Sequence, residues 1–224
     1  MNDKEMDKIP NKQELTGTEK PNRMDRRRME TRAKLLNATL ALVVKKGIEK
    51  TTMDDITEKA DLGRRTLYYH FNSKEECVIA AAAMYYTKVA AEADLSAHQH
   101  QDPALAFAVA GQTVMRRLVE APITAKLIEY PRFLATAIKQ SISGYVDHDL
   151  ALAFEQGRFT AEMEGRLFDT TILWVLIGTL IDTIENKLDI DETLTYFMRM
   201  YLVVLGLPHV EAQELSAKAV ALAK

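Results

Sequence analysis

Arg64 and Arg65 open a short run that continues through Thr66, Tyr68, Tyr69 and His70, a succession of donors suited to a polyanion that carries acceptors on its edges. Arginine can donate two hydrogen bonds to guanine O6 and N7 in the major groove, and at least one of the pair is expected to do so. The hydroxyls of Thr66, Tyr68 and Tyr69 suit phosphates, and the methyl of Thr66 suits thymine. Tyr69 also has an inward, core-forming alternative, whereas Leu67 and Phe71 are expected to be core. His70 is expected to pack and hydrogen-bond, with no metal or proton to carry. Thr52 and Lys74 stand at helix starts on either side of this run, where free amides already favour a phosphate.

Other candidate chemistry is sparser. His98 and His100 form a His-Gln-His pair in a polar connection, but without a third ligand they define no metal site, and neither metal nor cofactor is expected. The chain has no Gly-rich phosphate loop, nucleophile elbow or His-Glu-x-x-His motif, so no enzyme is expected. Tyr85, Phe107, Met115, Phe133, Phe154 and Trp174 are large, adaptable side chains able to line an apolar pocket, with His148 able to orient a polar end of whatever fills it. Taken singly, each of the six is more often simple core, and His148 more often exposed surface.

These residues need helices to hold them. Leu36, Leu40, Val43 and Val44 recur at helical spacing over residues 25–46, and Gly47 supplies the stop of a left-handed C′ residue. Thr52 with Asp55 reads as a capping box, and Ile56 and Ala60 make the inward stripe of the helix that follows. After a break at Asp61-Leu62-Gly63 comes the run 64–71. Ser73-Lys74-Glu75-Glu76 then caps a fourth helix. Three short helices at this spacing make a helix-turn-helix unit. Further helices are expected over 77–95, 103–119, near 123, and over 131–157. The last two, 167–188 and 194–205, are apolar on every face, which a helix tolerates only when covered all round. A partner subunit is the expected cover, through Leu173, Ile177, Leu180, Met198, Tyr201 and Val203.

The bulk composition agrees. Hydrophobic residues are 47% and charged residues 27% of 224, with only 9 Gly and 6 Pro, which fits a helical globular protein. The longest apolar run, 172–181, falls short of a bilayer span, and one cysteine, Cys77, fits a reducing, cytoplasmic setting. A net charge of −3 hides a strong asymmetry: residues 23–75 carry 13 Lys and Arg against 8 Asp and Glu, while residues 76–224 carry 12 against 19. A basic head on an acidic body suits a DNA reader with a separate second domain. Residues 1–22 show no apolar period and read as a disordered tail, and Arg23 to Arg28 as either a flexible basic arm or a solvated lead-in.

Residues 51–75, from Thr51-Thr52 through Leu67-Tyr68-Tyr69-His70-Phe71 to Ser73-Lys74-Glu75, closely resemble the DNA-binding signature of the TetR family. Extended back through Leu35 and Leu36, the resemblance covers about a fifth of the chain. Further on, Glu155-Gln156-Gly157-Arg158-Phe159 and Leu205-Gly206-Leu207 are similar to the family's second half in pattern only. The family usually has Gly where this chain has Asp61, Ser where it has Gly63, and often a small residue where it has Arg65. The resemblance implies an all-α fold: an N-terminal three-helix helix-turn-helix domain over 23–75, then a helical ligand-binding and dimerisation domain over 76–224. It implies a regulator, expected to repress, that binds a near-palindromic operator as a homodimer and is released by a small apolar ligand. The alternative is a DNA-binding or protein-interaction dimer with a fully packed core and no effector.

Overall fold

The computed structural model describes residues 22–161 and 165–223; of the expected tail, residues 1–22, only Asn22 lies among them, and there it caps the first helix. Among the described residues every regular element is an α-helix: α1 (Arg23–Lys46), α2 (Met53–Ala60), α3 (Arg64–His70), α4 (Lys74–Ala97), α5 (Pro103–Glu120), α6 (Thr124–Leu127), α7 (Pro131–Glu155), α8 (Gly165–Asn186), α9 (Ile190–Val204) and α10 (His209–Leu222).

The helix ends follow local chemistry. Asn22 accepts from the amides of Met24 at 2.8 Å and Asp25 at 2.9 Å, so α1 starts at Arg23 and takes in the basic run 23–28; the flexible-arm expectation is corrected to a helix. Gly47 ends α1 at φ +83°, ψ 168°, so it has the positive φ expected but an extended ψ in place of a left-handed helical one. The Thr52 and Asp55 box forms in both directions. Asp61 takes the left-handed conformation, φ 53° and ψ 51°, that a glycine would take at lower cost, and its amide donates to the Glu58 and Thr57 carbonyls. Gly63 starts α3 with no side-chain cap. The second box is only half made: Ser73 caps the Glu76 amide at 3.2 Å, but the Glu76 carboxylate turns back to accept from the Asn72 amide at 2.7 Å.

Three apolar clusters hold the molecule. The head closes over Leu35, Leu36, Ile56, Leu67, Phe71, Cys77 and Ala81. A middle cluster joins Val43, Ile48, Val78, Tyr86, Leu118, Ile138, Ile177 and Leu180, and an outer one joins Phe107, Met115, Phe159, Leu194, Phe197 and Tyr201. Helix α5 touches α4, α7, α8, α9 and α10, and so forms the hub of the body.

Helix α10 is absent from the expectations above. Half of its apolar positions are alanines, the buried Ala212 and Ala219 among them, which give a weak stripe but allow close approach to α5 and α9. The turn before it is tied back to the loop after α7: the Thr160 and Ala161 amides donate to the Leu205 carbonyl at 3.1 and 3.3 Å. Gly206, at φ +98°, has no room for a Cβ beside Thr160 and Ala161. Arg158 clamps the same corner, donating from Nε to Asp102 at 2.8 Å and from its terminal nitrogen to Glu211 at 2.6 Å.

Candidate functional site

Helix α3 is short and lies on α2 and the start of α4 through Leu67, which is fully buried, and the following Phe71. That anchoring fixes what the other residues do. Arg64, Arg65, Tyr68 and Tyr69 point to solvent, with Tyr69 67% exposed, which settles its orientation against the inward alternative; Thr66 and His70 are half-buried. This leaves aromatic surface exposed on a short helix that arginines flank.

The two arginines differ. The Arg64 guanidinium is ion-paired to Asp54 in the first turn of α2, both side chains being well exposed, whereas Arg65 makes no ion pair among the described residues. Behind them α1 supplies a second layer: the Arg28 guanidinium lies 5.5 Å above the Tyr69 ring and Arg32 lies 5.2 Å above Phe71. Burial first, and then Arg28 and Arg32, hold the His70 imidazole below its ordinary pKa, so it faces this surface as a neutral ring. Thr52 caps α2 at the exposed edge. Asp55, paired with Lys46 at 2.7 Å and hydrogen-bonded by Thr52, has its carboxyl pulled down to about 2, Lys46 being the largest cause. Lys74 donates from Nζ to the Ile48 carbonyl at 3.1 Å, pinning the start of α4 to the α1–α2 turn while two of its protons stay available. All eight sequence-predicted contact residues therefore fall in one head, with Arg23, Arg26 and Arg27 exposed along the first turns of α1.

A second feature lies in the body. Helices α4, α5, α7, α8 and α9 surround a cavity of about 350 Å³. Of the sequence-predicted lining residues, Phe107 and Met115 border it, and the other five are corrected. Tyr85 packs beside Tyr86 in the middle cluster. Phe133 stacks on Tyr130 at 5.5 Å, and Phe154 meets Phe159 edge-on at 5.8 Å. His148 borders a neighbouring cleft with Asp94, His98 and Tyr145. Trp174 faces outward, 45% exposed.

The expected dimer residues are also rearranged. Leu173, Met198 and Tyr201 border the cavity, and Ile177 and Leu180 are buried in the middle cluster, so these five face their own chain. Only Val203 is on the outer face, where it joins Trp174, Val175, Tyr196 and Val204, each between 38% and 64% exposed. The reason is rotational: successive helical residues lie about 100° apart, so moving one place from Leu173 to Trp174 crosses from inside to outside. The cavity residues missed in the sequence include Ile138, Ile142, Tyr145 and Asp149, a stripe at helical spacing on α7 that was readable as one face. Among the described residues no three His, Cys, Asp or Glu side chains are grouped to hold a metal, and no helix is long and apolar enough to cross a membrane.

Comparison with known proteins bears on the two halves differently. Residues 35–81 match the family model described as bacterial regulatory proteins, tetR family. The HTH-type transcriptional regulator TtgR of Pseudomonas putida is 43% identical over 51 residues, 23% of this chain and 24% of that protein. The HTH-type transcriptional repressor KstR of Mycobacterium tuberculosis is 33% identical over 89 residues, 40% of this chain and 36% of that protein. The match thus spans only between 24% and 36% of the length of these curated relatives. Over most of the chain the likeness is one of fold. The crystal structure of RolR in complex with resorcinol superposes with a TM-score of 0.73 at 23% identity, covering 86% of this chain and 96% of that one. Thermus thermophilus FadR in complex with lauroyl-CoA gives a TM-score of 0.62 at 16% identity, covering 79% and 95%.

Proposed function

We propose that this chain, whose residues 35–81 match the family model of bacterial regulatory proteins, tetR family, is a cytoplasmic transcriptional repressor that holds a near-palindromic operator as a homodimer and releases it when a small, mostly apolar molecule fills the body cavity. The domains of this reading are a DNA-binding head over 23–75 and an effector-binding, dimerising body over 76–224. Its relatives include proteins named as repressors, and proteins of its fold have been crystallised with resorcinol and lauroyl-CoA.

The observation that carries the proposal is the course of α4. Cys77 and Ala81, near its start, are part of the head's core, while Ala90, Ala93 and Asp94, near its end, border the cavity. One helix is therefore a wall of the cavity and a beam of the head. From Cys77 to Asp94 it runs about 26 Å, so each degree of tilt at the cavity moves the head by about 0.5 Å. Two recognition helices must meet major grooves about 34–36 Å apart, or a multiple of that, and a tilt of a few degrees in each subunit changes their separation by several ångströms. A ligand that prefers the shifted α4 weakens operator binding by its differential affinity for the two shapes. In the head, Arg65 and Arg64 read bases from α3, Thr66, Tyr68, Tyr69 and the neutral His70 make the remaining α3 contacts, and Thr52 and Lys74 hold phosphates.

The body supports the rest. The outer strip of Trp174, Val175, Tyr196, Val203 and Val204 is the surface we assign to a second copy. The cavity favours an effector over the alternative of a fully packed core. The test is fluorescence anisotropy with duplexes tiled across the DNA upstream of the protein's own coding sequence, followed by titration of apolar compounds that raise its melting temperature. A site bound by two chains and released by such a compound is expected. Failure of every tile to bind better than random duplex would refute the regulator.

A further inference from the structure

The cavity has walls and a rim of opposite character. Its interior is apolar, with Phe107, Met115, Leu176 and Phe197 among the surfaces, while Asp94 on α4, Asp147 and Asp149 on α7, and Asp169 on α8 all border it. Lys139 is the one cationic side chain among the bordering residues described. We propose that the cavity's ligand is a lipophilic cation: a single positive charge, such as an ammonium, carried on an apolar or aromatic body that fits about 350 Å³. The inference rests on reading this cavity as the effector site. The enclosing apolar walls define the site, and the carboxylates decide only which charge it accepts.

Three helices contribute the carboxylates, so the negative character belongs to the assembled cavity and not to one acidic stretch. Two groups register it. Burial and then Asp94 push the Asp149 carboxyl above its ordinary value, with His148 and His98 opposing. Burial, followed by Asp169 and Asp147, pushes the Tyr201 hydroxyl up as well. An anion placed here would add to the repulsion, whereas a cation relieves it, and the half-buried Asp149 is screened less than the exposed Asp147 and Asp169. The His98 ring meets Asp94 at 3.4 Å, which leaves Asp147, Asp149 and Asp169 as the main source of charge for a guest. Phe107, Tyr145, Phe197 and Tyr201 also border the space, and aromatic rings attract an ammonium group.

Isothermal titration calorimetry on the full-length protein separates charge from shape, with three probes that share one body: 4-phenylbutyltrimethylammonium, 4-phenylbutan-1-ol and 4-phenylbutyrate. The cation should bind about tenfold more tightly than the alcohol, and the carboxylate should bind least. Replacing Asp147→Asn, Asp149→Asn and Asp169→Asn together should erase the preference and leave the alcohol within about twofold of its original affinity. Ala110→Leu, which fills the cavity from α5, or Ala93→Leu from α4 if the first variant does not fold, should weaken all three. Equal binding of cation and alcohol, or a carboxylate that binds best, overturns the charge assignment and leaves the cavity standing as an effector site. Binding that persists undiminished in a folded cavity-filled variant, or no binding of any probe, overturns both.

Discussion

Asp54→Asn should tighten binding to DNA, an unusual direction for a change in a DNA-binding head, and the size follows from one ion pair. Arg64 is held by Asp54 across the α2–α3 turn, with side-chain exposures of 70% and 59%. To reach a base edge or a phosphate, Arg64 must leave that partner. An exposed pair of this kind is worth about 0.2–1 kcal/mol, so abolishing it should lower the cost of docking by that amount and improve affinity roughly 1.5- to 5-fold. Losing a negative charge beside the phosphates adds a further gain that does not depend on Arg64. The two are separated by a double-mutant cycle in fluorescence anisotropy at fixed salt, measuring wild type, Asp54→Asn, Arg64→Ala and the pair together. The improvement should shrink when Arg64 is already alanine, and only the general electrostatic part should remain. Weaker binding by Asp54→Asn, or an equal improvement with and without Arg64, would refute the account and make the ion pair a structural brace of the head.

Other expectations follow from neighbouring observations. Arg65→Ala should relax discrimination at one base position per half-site by about 1–3 kcal/mol, whereas Lys74→Ala should weaken specific and random duplexes alike and flatten the salt dependence by about one unit of slope; equal losses on both kinds of DNA for Arg65→Ala would remove it as a reader. Leu180→Ala, at a fully buried position, should cost about 2–5 kcal/mol in urea unfolding. Val203→Glu, at a position 38% exposed, should leave the helical circular dichroism intact and yield monomers by light scattering; a soluble dimer would move the interface elsewhere. The Asp55 carboxyl sits at about 2 when folded against an ordinary 3.8, so its contribution is complete above about pH 4 and is lost as the pH falls toward 2. Asp55→Asn should therefore flatten the acid limb of stability between pH 4 and pH 2, and an unchanged limb would show that the Lys46 and Thr52 contacts contribute nothing in solution.

The head was legible in the sequence because its cues are local. Thr52 and Asp55 sit three residues apart and close the same capping box that their side chains predict. The short break at Asp61 to Gly63 forces a turn between α2 and α3, and Leu67 and Phe71, four apart, fix which side of α3 is inward and so which side carries Arg64, Arg65, Tyr68 and Tyr69. The basic excess in residues 23–75 is what made DNA the expected partner of that outward side. None of this needed knowledge of distant segments.

The body was different because its signals depend on partners far along the chain. Helix α8 is apolar nearly all round, so its sequence marks it as covered without saying which residue meets which neighbour. Packing against α5, α7 and α9 chose a rotation that turns Leu173 to the cavity, sinks Ile177 and Leu180 into the middle cluster, and leaves Trp174 outside. The alanines of α10 gave too little periodic contrast to announce a helix, yet their small size is what allows it to lie against α5 and α9. The acidic rim depends on the same convergence: Asp94, Asp147, Asp149 and Asp169 are ordinary charges along three separate helices until the fold brings them round one space. Capping, turn and short-range periodicity are decided by a few neighbouring residues and can be read in line. Helix rotation and the meeting of remote side chains are decided by mutual packing, which exists only once the whole bundle has formed.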